Sequence, residues 1–156
     1  METKDRHTFI GAIELQYPDL IVTTEQLDEK QTMRSLDTEA YINLETVRRN
    51  GTPVITPVWF ALYDGGYYVF SAREAGKVKR LKHTPSVRIA ACTMKGKTIG
   101  EWLNTSAALI DSTAPDIKPA YKALEDKYGW QLKITNFFSR LTGKMKKRQM
   151  IRIEVP

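Results

Sequence analysis

A single cysteine in 156 residues, Cys92, excludes any intrachain disulfide and fits a reducing, cytoplasmic setting. It sits among Ile89, Ala90 and Ala91, which is the setting of a core thiol rather than a nucleophile. The two histidines, His7 and His83, are far apart and have no clustered cysteine or carboxylate near them, so no zinc or iron site is expected. A serine triad needs a histidine base, and His83 lies beside Thr84-Pro85, where a surface position is the default. Paired catalytic carboxylates would have to come from Asp64, Glu74, Glu101 or Asp111, all of which read as turn or exposed positions. Nothing supports hydrolysis. No segment approaches the roughly 20 apolar residues of a membrane span. The opening METKDRHTFIGAIEL lacks an apolar run long enough for a signal peptide. There are no internal repeats and no low-complexity stretches.

What remains is one domain with a substantial apolar fraction, 42%. Its net charge of +6 is unevenly spread. Residues 1–47 carry four Lys/Arg against ten Asp/Glu, whereas residues 48–156 carry twenty against eight. A basic portion of that kind suits either nucleic acid or an anionic small ligand. The basic residues are scattered over several elements with no recognition-helix, zinc-finger or RNA-binding signature. Nucleic acid is therefore not the expected partner.

The stretch from Tyr41 to Cys92 carries the organisation. Tyr41 to Val47 alternates Ile42, Leu44 and Thr46 against Asn43 and Glu45, the period of a half-buried strand. Asn50-Gly51 forms a hairpin turn, because tight turns demand positive φ. Pro53 to Tyr63 reads as a second strand that must start, bulge or lie exposed at Pro53 and Pro57, each of which lacks a ladder donor. Asp64-Gly65-Gly66 turns the chain into a third strand, Tyr67 to Ser71. Ala75 to Lys82 then reads as a short helix bearing Lys77, Lys79, Arg80 and Lys82, stopped by Thr84-Pro85 before a strand from Val87 to Thr93. A short basic helix between strands can hold an anion, and the same spacing describes a solvated face. It is not an NTPase phosphate loop, since Val78 follows Lys77 and Ser71 stands where the earlier glycine belongs.

Beyond a turn at Lys95-Gly96-Lys97, Thr98 to Ser112 reads as one long strand bent at Gly100, with Trp102, Ala107, Leu109 and Ile110 as core or interface positions. Asp116 to Tyr128 is the strongest helix. Asp116 suits the N-cap, Pro119 the first turn and Gly129 the C-terminal cap, with Tyr121, Leu124 and Tyr128 on one face. A short helix over Asn136 to Leu141, a cationic connector from Lys144 to Arg148 and a closing strand from Met150 to Val155 complete the chain. Residues 1–34 read as an N-terminal arm, with a turn over Phe9 to Leu15 and a helix opening at Thr24; residues 35–156 form the domain proper. Six or so antiparallel strands with short inserted helices suggest a mainly β fold, a closed or split antiparallel β-barrel of Greek-key type.

Thr56-Pro57-Val58-Trp59-Phe60, Gly76-Lys77, Leu81 and Pro85, with Lys127-Tyr128-Gly129 downstream, resemble the flavin-binding split-barrel family related to pyridoxamine 5′-phosphate oxidase. Within it the closest likeness is to the deazaflavin-dependent (coenzyme F-420) branch. The resemblance covers roughly residues 35 to 156. It implies a homodimer with cofactor sites at the subunit interface and a flavin-type site made by Thr56, Pro57, Val58, Trp59, Ser71 and Lys77. Lys77 matches the lysine that binds the cofactor phosphate, Ser71 a nearby hydroxyl, and Thr56 to Val58 a backbone lying along the ring. Arg80 offers a second anion contact, with a solvated face as its alternative, and Trp59 and Trp102 are candidates to flank the ring. In the oxidase proper an arginine also grips the phosphate where Thr56 or Pro57 stands here. That departure weakens the FMN and vitamin B6 substrate readings and favours a deazaflavin or a loosely held flavin. Because the ring itself performs hydride transfer, an oxidoreductase of this kind needs no side-chain catalytic motif, and none is assigned. A non-enzymatic flavin or haem carrier on the same barrel is the alternative.

Overall fold

The computed structural model describes Thr23, Thr24, Leu27 and residues 36–133 and 147–155. Two tight turns begin the sheet. In the first, Gly51 takes φ +83° and joins β1 (Ile42–Val47) to β2 (Pro53–Val58). In the second, Asp64 (φ +46°) and Gly65 (φ +66°) join β3 (Ala61–Tyr63) to β4 (Gly66–Ala72), two left-handed residues in a row as a two-residue hairpin demands. There follow α1 (Gly76–Leu81), β5 (Ser86–Ala91), β6 (Leu103–Ile110), α2 (Ile117–Tyr128) and β7 (Arg148–Glu154).

The strands form one antiparallel sheet in the order β2-β1-β5-β6-β7-β4-β3. Its two edge strands, β2 and β3, are consecutive in sequence and separated only by Trp59 and Phe60. Each extended residue spans no more than about 3.6 Å, so the sheet must curl until its ends nearly meet. β6 makes the other bend. Its first half pairs with β5 (Ser86 opposite Ser106) and its second half with β7 (Ala107 opposite Ile153). The result is a split barrel.

Alternation along the strands fills the interior with Ile42, Leu44, Tyr67, Val69, Val87, Ile89, Ile151 and Ile153. Val78 and Leu81 of α1 close it, together with Phe60 and Leu36. Each such side chain contributes about 1.5–3 kcal/mol on burial. That packing holds α1, since a six-residue helix is not stable alone. On the opposite face of β4, Tyr68 joins Ala61 and Met150 against Ala120, Leu124 and Tyr128 of α2.

Several expectations change. Pro53 to Tyr63 is not one strand but two, placed at opposite edges of the sheet, because the chain crosses between the halves at Trp59-Phe60. β1 is not half-buried: Asn43 and Glu45 are buried as well as Ile42 and Leu44. The Asn43 amide donates to the Gly96 carbonyl at 2.9 Å and to Thr98 Oγ1 at 3.0 Å, so the 93–98 turn covers that face. Thr98 to Ser112 keeps strand geometry only over Leu103–Ile110, with Thr98 in an isolated bridge to Cys92. Asp116 occupies the N-cap position of α2 but makes no side-chain cap; its carboxylate accepts the Tyr68 hydroxyl at 3.0 Å instead. The Asn136–Leu141 helix and the Phe9–Leu15 turn lie outside the described residues, as does nearly all of the 1–34 arm. Among the described residues no helix is long and apolar enough to cross a membrane.

Candidate functional site

A cleft of about 700 Å³ opens between the end of β2, the end of β4 and the start of β7. Volumes of roughly 300–1,000 Å³ are usual for small-molecule sites. β2 delivers Pro57 and Val58, with Trp59 just beyond; β4 delivers Phe70, Ser71 and Ala72; α1 delivers Lys77; and Lys147 and Arg148 stand at the start of β7. Tyr41, immediately before β1, and Met94, in the turn after β5, complete the walls. The lining is largely aromatic and apolar. Among the described residues its charges are four cations, Arg73, Lys77, Lys147 and Arg148, against the single carboxylate of Glu74.

Trp59 owes its position to α2. Its ring stacks on Tyr128 at 4.8 Å between centroids and 13° between planes, and meets the Phe70 edge at 6.5 Å. The Arg148 guanidinium lies 4.4 Å over the Phe70 ring, placing a cation directly on the aromatic wall.

Lys77 is half-buried and its ammonium donates to Ser71 Oγ at 3.3 Å. Burial, and then the repulsion of Arg80, push its pKa below the ordinary lysine value. Among the described residues no carboxylate pairs with it. An ammonium partly withdrawn from water without a counter-charge is a site poised for an anion.

Of the sequence-predicted residues, Pro57, Val58, Trp59, Ser71 and Lys77 come together in this cleft. Thr56 does not line it; it faces Leu44 across the β1–β2 ladder. Arg80 also stands apart, its Nε donating to Thr46 Oγ1 of β1 at 2.7 Å. Its Nη1 lies 2.8 Å from where a Cβ on residue 76 would fall, so Gly76 leaves the room this side chain uses. Trp102 is not in the cleft; the Arg88 guanidinium covers its ring at 5.1 Å. Sequence reasoning missed Tyr41, Phe70 and Met94 as walls. In the sequence Arg148 reads as part of a connector, and its position shows only once β7 is paired with β4 (Arg148 opposite Ala72).

The sequence profile of the pyridoxamine 5′-phosphate oxidase family matches residues 29–155. No curated protein sequence matches the chain. Solved structures share the fold at low identity. The haem storage protein of Vibrio cholerae superposes with a TM-score of 0.60 at 15% identity, covering 84% of this chain and 89% of that one. An FAD-binding protein of Mesorhizobium loti gives 0.55 at 15% identity, with 83% and 86% covered. An F-420 reductase gives 0.52 at 19% identity, with 79% and 92% covered.

Proposed function

We propose that this chain, which belongs to the pyridoxamine 5′-phosphate oxidase family, binds a flavin-type cofactor in the cleft and acts as an oxidoreductase on a small substrate. The observation that carries the reading is Lys77, a half-buried ammonium beside Ser71 Oγ, without a carboxylate partner among the described residues, next to an aromatic-lined cleft. When bound, the flavin or deazaflavin ring supplies the hydride chemistry. The chain's residues bind and orient. Lys77 and Ser71 would hold the phosphate, the Pro57–Trp59 backbone would border the ring, and Trp59, Phe70 and Met94 would exclude water from it.

A deazaflavin is favoured over FMN. Thr56 and Pro57 bring no second charge to the phosphate, whereas Arg73, Lys147 and Arg148 border the cleft and suit a longer anionic tail. A homodimer fits the same picture. Ile55 on the edge strand β2, Met94 and Ile99 are exposed large apolar residues, 48%, 67% and 56% accessible, and Met94 also lines the cleft. The haem-carrier reading has less behind it. Among the described residues the cleft presents no histidine, and His83 is paired with Arg49 elsewhere. Calorimetric titrations with FMN and with the deazaflavin at two ionic strengths test the cofactor preference. The deazaflavin is expected to bind more tightly and to weaken more steeply with salt, because exposed contacts are the ones screened. Tight, salt-insensitive FMN binding with no deazaflavin affinity would overturn that preference.

A further inference from the structure

A second cationic hollow lies on the other side of α1. About 220 Å³ in volume, it is enclosed by Val47, Arg48 and Arg49 at the β1–β2 turn and by Lys79, Arg80 and His83 at the end of the helix. Its walls are mainly the apolar stems of these side chains, with the charged heads around the rim. The charges there are poorly compensated. Arg49 Nη2 stands 2.9 Å from His83 Nε2, so a guanidinium donates to an imidazole where a carboxylate would be the ordinary partner. Arg80 spends its Nε on Thr46 Oγ1 and is close enough to Arg48 to feel its repulsion. Among the described residues the only ion pair at this rim is Lys79 with Glu74, at 3.7 Å and well exposed. Like charges drawn together around a concave surface, with Glu74 the one acid paired at its rim among the described residues, favour an anion with more than one charge.

We propose that this hollow is a binding site for an organic phosphate, separate from the cleft. The rim guanidiniums of Arg48 and Arg49 hold the phosphoryl group, and the organic body lies against the apolar stems. A phosphoryl ester suits the site better than inorganic phosphate because the ion alone leaves those stems in water. Arg80 lines this hollow and Lys77, three residues earlier on α1, lines the cleft.

The test uses phenyl phosphate, inorganic phosphate and a short single-stranded oligonucleotide, titrated by amide-detected NMR at physiological salt. The Lys77→Ala background weakens the cleft's contribution, and amide shifts at Arg48, Arg49 and His83 rather than at Arg73, Lys147 and Arg148 of the cleft separate this proposal from the cofactor reading. Phenyl phosphate is expected to shift the amides of Arg48, Arg49 and His83, and to bind more tightly than inorganic phosphate. Adding Arg49→Ala, an exposed change that leaves the core intact, should weaken phenyl phosphate about tenfold or more, as loss of a charge-assisted contact does. Arg49→Lys should restore part of it. Equal affinity for the two phosphates, shifts outside these residues, no effect of Arg49→Ala, or binding of the oligonucleotide alone would each overturn the proposal.

Discussion

The phenolic oxygen of Tyr128 meets both backbone polar groups of Phe60: it accepts the Phe60 N–H at 2.9 Å and lies 2.8 Å from the Phe60 carbonyl. Phe60 is fully buried where the chain leaves β2 and enters β3, so neither group has a ladder partner at that crossing. The same ring supports Trp59 in the cleft wall. Tyr128→Phe should keep the stacking but leave a buried N–H unpaired, a loss of about 1–3 kcal/mol. Urea denaturation should show a lower midpoint with unchanged slope. A midpoint equal to that of the unaltered protein would mean that the crossing is held some other way.

Lys127 carries a pH signature. Its ammonium lies 3.5 Å over the Phe60 ring, and burial pushes its pKa down to about 8 despite the opposing pull of Asp37 and Glu39. Because the folded value lies below the ordinary 10.5, the unfolded chain holds the extra proton between those limits. The folded form therefore gains stability as pH rises from about 8 to 10.5. Lys127→Met should raise stability at neutral pH and flatten the curve in that window. Thermal melts across the range would show it, and an unaltered slope would contradict it.

Glu45 and Arg88 form a two-pronged ion pair on the outer face of the sheet, with bonds of 2.8 and 2.7 Å. The Glu45 side chain is only 7% exposed, so Arg88→Met strands a buried carboxylate. Chemical denaturation should find that single variant clearly destabilised, and the double variant with Glu45→Met substantially recovered. A double variant no better than the single one would show that the charge itself is not what the arginine compensates.

Light scattering on the purified protein should report about twice the chain mass of 17.8 kDa. Ile55→Glu, on the exposed face of the edge strand, should shift the protein toward monomer without unfolding it. A clean monomer before any substitution would remove the shared-interface reading of the cleft.

Most strands, both hairpin turns, α1 and α2 were legible because each is written in local pattern: Asn-Gly and Asp-Gly at turns, period two in Tyr41 to Val47, three- and four-residue spacing in Tyr121, Leu124 and Tyr128. The crossing at Trp59-Phe60 was not. Its backbone is satisfied by a tyrosine 68 residues away, and nothing local distinguishes it from a continuing strand. Asn43 and Glu45 looked solvent-facing for the same reason, since the turn and the arginine that cover them are contributed from far along the chain. The cleft was half legible. Pro57 to Trp59, Ser71 and Lys77 could be named together, whereas Phe70 was indistinguishable from any other aromatic on a strand, and the side to which Arg80 turns depends on Thr46.

The central claim, that Lys77 holds the phosphate of a flavin-type cofactor, is tested most directly by calorimetric titration of FMN and the deazaflavin into three proteins: unaltered, Lys77→Ala and Lys79→Ala. Lys79 sits two residues along the same helix but is exposed and paired with Glu74, so it controls for general charge. Loss of a charge-assisted contact should weaken the bound cofactor about ten- to a hundredfold in Lys77→Ala. Lys79→Ala should leave it nearly unchanged. Equal losses in the two variants, or no binding of either cofactor to the unaltered protein, would contradict the account.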